Sequence, residues 1–123
     1  TLVVHRKGAT PAGPGVLGVI PGSMGDAGFL VRGLGNPASL WSAAHGAGRV
    51  MSRAQARKSL TTTVRNRILA EQGEELLAAG IDESPQVYKP IADVMAAQRD
   101  LVEPLAEFRP RLVLMAHGGP AED

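Results

Sequence analysis

No cysteine occurs among the 123 residues, which excludes disulfides and thiolate metal sites from this chain and leaves its redox compartment undecided. Aromatic residues make up only 3%, so a core has to be assembled from small aliphatic side chains and is thin. No apolar run approaches the length of a membrane span. Neither sign of charge dominates: 13 Lys and Arg against 12 Asp and Glu give +1, too balanced to argue for nucleic-acid binding from global charge. Any such contact must be local. The opening Thr1-Leu2-Val3-Val4 carries neither Met nor a basic leader with an apolar h-region, which argues against a signal peptide and suits a piece of a longer polypeptide. A cytoplasmic address is the default expectation.

What is plentiful is glycine and proline, 15 and nine residues, together with 44% hydrophobic residues. Such a composition is that of a globular segment with many turns. Three β-prone runs, Leu2 to His5, Val16 to Ile20 and Phe29 to Arg32, are bounded by Gly and Pro and predict short strands. The intervening loops, Lys7 to Gly15, Pro21 to Gly28 and Gly33 onward, then lie at strand ends. Asn36 followed by Pro37 predicts a capped short helix toward Ala44, broken by His45-Gly46-Ala47-Gly48-Arg49. Ser52 is a candidate N-cap for a helix through about Ser59. Thr61 to Gln72 predicts another, closed by Gly73, and Glu74 to Ala79 is ambiguous. Ile91, Val94, Met95, Leu101, Val102, Leu105 and Phe108 recur at helical spacing, giving an amphipathic helix that Pro104 should kink or end. Leu112 to Met115 suits a closing strand. Without internal repeats, this mixture predicts an α+β fold rather than a doubly wound sheet.

Two of the three histidines sit where packing does not need them. His5 ends an apolar run and leads into Arg6-Lys7-Gly8-Ala9-Thr10, so its imidazole could emerge where ligands assemble. A half-buried strand histidine bonded to backbone fits the same pattern, because a lone His without partners at ligand spacing is weak metal evidence. His45 has only Ala and Gly neighbours and should be reachable. Gly46 and Gly48 allow successive amides to face an anion, and Arg49 and Arg53 could add charged donors, which is what a histidine nucleophile attacking phosphorus needs. An exposed histidine on an ordinary glycine turn is the competing account. Pro21-Gly22-Ser23-Met24-Gly25 also offers glycines around a hydroxyl, but it matches neither a P-loop nor a dinucleotide fingerprint, and a plain turn serves equally. His117, among Gly118-Gly119-Pro120, is assigned no role and is expected in a frayed tail.

Taken together and in order, His5-Arg6-Lys7-Gly8-Ala9-Thr10, Pro21-Gly22-Ser23-Met24-Gly25, His45-Gly46-Ala47-Gly48-Arg49 and Asp82-Glu83-Ser84-Pro85 resemble the C-terminal motifs of RtcB-type RNA ligases. The likeness runs from the first residue to about Met115, through Tyr88-Lys89 and Val94-Met95-Ala96-Ala97-Gln98. It implies that residues 1–123 are the C-terminal portion of a single catalytic domain with an RtcB-like fold. The implied reaction joins an RNA 3′-phosphate or 2′,3′-cyclic phosphate to a 5′-hydroxyl through a GMP-histidine intermediate, with GTP and Mn(II), in tRNA splicing or RNA repair. By motif match His45 is the nucleophile and His5 a Mn(II) ligand. Ser23, Met24, Gly46, Ala47, Gly48 and Tyr88 join His45 in binding the nucleotide, with Arg49 and Arg53 at positions suited to phosphate or RNA backbone.

Two departures bear on the base. A lysine that the family places in its last strand to bond guanine corresponds here to Leu114 or Met115, and Gly28 stands near a serine of some members. The resemblance also implies further Mn(II) ligands, including a cysteine, in upstream sequence that this chain does not contain. Against the enzyme stand two other classes: a non-catalytic nucleotide- or phosphate-binding remnant, and a structural fragment that folds only with its missing partner.

Overall fold

A computed structural model describes residues 1–116, and His117 lies outside the described residues. Strands β1 (Ala9–Pro11), β2 (Leu17–Ile20), β3 (Gly28–Gly33) and β4 (Ser42–Ala44) come first. Helices α1 (Arg53–Ser59) and α2 (Thr62–Glu71) follow, then β5 (Glu75–Ala78), helix α3 (Ile91–Ala97), β6 (Val102–Phe108) and β7 (Leu112–Leu114). Strands β1 and β4 form an antiparallel ribbon, β2-β3-β6 an antiparallel sheet, and β5 and β7 a parallel pair. The fold is α+β.

Where local chemistry was strong, the elements follow it. Ser52 Oγ accepts from the Gln55 amide at 3.1 Å and Thr61 Oγ1 from the Val64 amide at 3.3 Å, so both helices start at side-chain caps. After α2 the chain turns at Gly73 with φ +73°, a left-handed conformation that costs glycine nothing. The ambiguous stretch after it becomes β5.

Three expectations are corrected. Leu2 to His5 forms no strand: Val3 is 96% exposed, and β propensity without a partner edge leaves backbone groups to water. The first strand instead lies inside the expected loop, at β1. The helix after Asn36 is a single 3-10 turn, Pro37–Ser39, in which Asn36 Oδ1 does cap the Ala38 amide at 2.9 Å. Leu40 and Trp41 then adopt φ of 54°, which no helix continues, and β4 begins. The long helix proposed over Ile91 to Phe108 ends at Ala97, and its second half is β6. Pro104 sits where the register with β3 shifts, Leu30 facing Ala106 and Val31 facing Pro104, so its missing N–H falls at a bulge in a strand at the sheet's edge.

The core is as small-sided as the composition required. Ala12, Ile20, Val31, Ala43, Ala47, Ile91, Met95 and Val102 pack together, joined by Phe29, Tyr88, Val94 and Leu101. Burying Ile20 completely contributes roughly 1.5–3 kcal/mol. A second cluster of Met24, Leu69 and Val113 seats α2 against β5 and β7. Arg65, buried in α2, fastens the same corner by donating from Nη1 to the Ala79 carbonyl at 2.8 Å.

Candidate functional site

Ala44 ends β4, opposite Ala9 of β1, and His45 follows at once. The end of β4 is held from behind by buried Gln98, whose Oε1 accepts from the Ala44 amide at 2.9 Å. Across the ribbon stands Gly8, at φ +71°, and a Cβ placed there would lie 3.9 Å from His45 Cε1. The imidazole is exposed and makes no hydrogen bond among the described residues.

The loop that follows is fixed at its far end. An isolated antiparallel bridge joins Arg49 to Tyr88: the Val50 amide donates to the Val87 carbonyl at 2.7 Å and the Lys89 amide to the Gly48 carbonyl at 2.9 Å. Gly48 turns the loop at φ +75° with nothing within 4 Å of an added Cβ. The amides of Gly46, Ala47 and Gly48 donate to no acceptor among the described residues. These groups border a cavity of about 510 Å³, lined also by Lys89, Asp93 and Gln98.

Beneath the loop lies a network of charge. Asp82 and Glu83, both buried, occupy a 3-10 turn, Ile81–Glu83. Arg53 Nη1 donates to Asp82 Oδ2 at 2.9 Å and to Glu83 Oε1, and Arg57 approaches Asp82 at 3.6 Å. Arg49 Nη2 donates to the Asp82 carbonyl at 2.6 Å and its Nη1 to the Tyr88 hydroxyl at 3.2 Å, with the guanidinium 5.3 Å from the ring centroid. Tyr88 in turn donates to Glu83. Burial and then this bond to Glu83 push the phenol up to about 12. Burial alone would raise Asp82, but the Arg53 hydrogen bond and the charges of Arg57 and Arg53 bring it below its ordinary value. Hydrogen bonds to Glu83 and Asp82 raise Arg53 further.

The candidates of the glycine-serine loop face inward. Ser23, buried, donates to Asp26 Oδ2 at 2.6 Å and accepts from the Gly25 amide at 3.3 Å, and Met24 is in the second core cluster. The loop still meets the histidine loop, since the Pro21 carbonyl lies 3.4 Å from a Cβ built on Gly46. His5 is exposed, on a segment anchored by Arg6, whose Nε donates to Ser42 Oγ at 2.8 Å. No group of three or more His, Asp or Glu side chains among the described residues could hold a metal ion, so His5 has no set of ligands to join among them.

Thus His45, Gly46, Ala47 and Gly48 share one cavity, whereas His5, Ser23, Met24, Arg49, Arg53 and Tyr88 lie outside its lining. Lys89 and Gln98 were noted only inside matched strings and given no role, and Asp93 was not singled out at all. Lys89 follows a residue already singled out, but no local pattern shows that its amide bonds the Gly48 carbonyl.

The profile of a family described as tRNA-splicing ligase RtcB matches residues 1–116. Over 108 residues the chain is 50% identical to the RNA-splicing ligase RtcB of Escherichia coli K12, an alignment covering 88% of this chain and 26% of that protein. Against the tRNA-splicing ligase RtcB of Nanoarchaeum equitans it is 36% identical, covering 92% of this chain and 28% of the relative. The RNA-splicing ligase RtcB of Mycobacterium tuberculosis is likewise 36% identical, over 89% and 30%. The chain spans about a quarter of the length of the first of these relatives.

Proposed function

The chain belongs to the RtcB family, and on that premise we propose that it is part of an RNA ligase that uses GTP and Mn(II) to join RNA 3′-phosphate or 2′,3′-cyclic phosphate ends to 5′-hydroxyl ends. One observation carries the assignment: an exposed imidazole stands at a 510 Å³ cavity beside three amides, and none of these groups has a hydrogen-bond partner among the described residues. In this reading a neutral His45 nitrogen attacks the α-phosphorus of GTP. The new P–N bond forms as the bond to pyrophosphate breaks, and the Gly46, Ala47 and Gly48 amides stabilise charge growing on the phosphoryl oxygens. GMP then passes to the RNA 3′-phosphate, and the 5′-hydroxyl oxygen displaces it.

The buried network has a supporting part. Arg49 and Arg53 lie outside the cavity lining and are paired with Asp82 and Glu83, so in this reading they act on the His45 site through position. Mn(II), when bound, would neutralise phosphate charge. The described residues do not fit such an ion by themselves; His5 would contribute one imidazole, with the remaining ligands from elsewhere in the protein. Uses in tRNA splicing or RNA repair are both open to this chemistry. No helix among the described residues is long and apolar enough to cross a membrane.

The test uses the complete protein with Mn(II) and GTP labelled on the α-phosphate. Folded His45→Ala should acquire no covalent label, since nothing replaces a missing bonding atom. His5→Ala should label slowly and regain activity at high Mn(II). Acid-labile label on His45→Ala would sink the nucleophile assignment. Wild-type protein that binds GTP but never labels would leave a phosphate-binding remnant of the fold.

A further inference from the structure

Among the described residues lining the His45 cavity, Lys89 is the one cation. Its side chain is exposed and makes no ion pair or hydrogen bond among the described residues. Its backbone, by contrast, is fixed: the Lys89 amide donates to the Gly48 carbonyl at 2.9 Å, inside the bridge that closes the histidine loop. The wall of the cavity that carries Gly46, Ala47 and Gly48 therefore also carries a lysine whose backbone is fixed and whose ammonium is unpaired among the described residues. The arginines that the sequence offers for an anion, Arg49 and Arg53, lie outside this lining and form ion pairs with Asp82 and Glu83. Asp93, the one carboxylate among the described lining residues, forms no ion pair with Lys89. It opposes an anion without cancelling the ammonium.

We propose that Lys89 and the Gly46–Gly48 amides form an anion subsite for phosphoryl oxygens, with Lys89 as its charged donor. The subsite deepens the nucleotide reading of His45 and rests on that reading for its role in turnover, but anion binding itself needs no reaction. An ammonium on a flexible stem suits oxygens that move as a phosphoryl group changes partners, whereas a guanidinium fork locked to carboxylates does not. Arg49 and Arg53 then shape the loop from below while Lys89 meets the ligand.

The experiment uses the complete protein without GTP, and inorganic pyrophosphate as the probe. Pyrophosphate binding is measured by calorimetry, and lysine acetylation by acetic anhydride is followed residue by residue by mass spectrometry. Pyrophosphate should protect Lys89, in wild type and in His45→Ala alike. Lys89→Gln should weaken pyrophosphate binding by roughly tenfold, the loss of one charge-assisted hydrogen bond. Lys89→Arg should restore most of it, and Asp93→Asn should tighten it, a pair of opposite signs that a merely structural role would not give. Unchanged acetylation of Lys89 at saturating pyrophosphate, or no pyrophosphate binding by wild type, would overturn the subsite. Failure of His45 to take GMP while Lys89 remains protected would remove the nucleophile and leave the subsite standing.

Discussion

Two buried carboxyl environments show how residue chemistry divides stability between pH ranges. Glu74, beside a 170 Å³ hollow shared with Asp26, has its carboxyl raised by burial and then by the Asp26 charge. Its folded form holds a proton more tightly than the unfolded chain does, so stability declines as pH rises from the ordinary carboxylate range through the raised value. Glu74→Gln should therefore raise the urea midpoint at pH 7 and lose that gain toward pH 4. Asp82 behaves oppositely: lowered overall, it stabilises above the ordinary carboxylate range, and that contribution disappears as pH falls through its depressed value. Arg53→Ala would strand side chains only 7% and 6% exposed. Because Arg53 is itself 32% exposed, the expected loss is about 2 kcal/mol, below that of a fully buried pair, with Arg53→Lys keeping part of it in denaturant unfolding. The spacing of Arg49 and Arg53 announces positive charge near His45. That the charge is claimed by Asp82 and Glu83, about thirty positions on, is a tertiary fact with no local signature.

Elements with their own start and stop signals were legible: Ser52, Thr61 and Gly73 delimit α1 and α2 because caps act within a few residues. Gly73→Ala should cost about 1 kcal/mol of thermal or denaturant stability through its φ of +73°, since only Arg111 Nη1 lies within 4 Å of an added Cβ. Pairing was less legible. Leu101, Val102, Leu105 and Phe108 fit a helix by spacing, and only the waiting edge of β3 makes their segment a strand. Strand β7 was read from its apolar run, and the structure separates the two positions left open for a missing lysine. Leu114 is exposed, whereas Met115 packs against the second core. Leu114→Lys should fold as wild type and, in the complete protein, modestly sharpen GTP over ATP in label formation. Met115→Lys should lower the melting temperature, because it puts a charge against Leu69 and Val113.

At the scale of the molecule, several apolar side chains have nothing over them: Leu17 is 62% exposed, Leu112 59% and Leu114 67%. A sequence can show that such residues are apolar but not which of them the rest of a protein covers. Residues 1–123 by themselves should bind a hydrophobic dye, melt without a sharp cooperative transition and fail to ligate RNA at any Mn(II) concentration; robust joining by this piece would refute the expectation. The His45 motif itself was visible as a string of small residues, whereas the cavity beside it depends on α3 and on the bridge between Arg49 and Tyr88. The ribbon of β1 and β4 has one more consequence. Ala9 faces Ala44, so Gly8 lies across from His45, and His5 is three residues back along the same strand's approach. Both imidazoles are thus placed from a single register mark, and inserting one residue among positions 6–8 would displace His5 while leaving His45 seated: under the proposed roles, labelling of His45 should survive an insertion that misdirects the other imidazole.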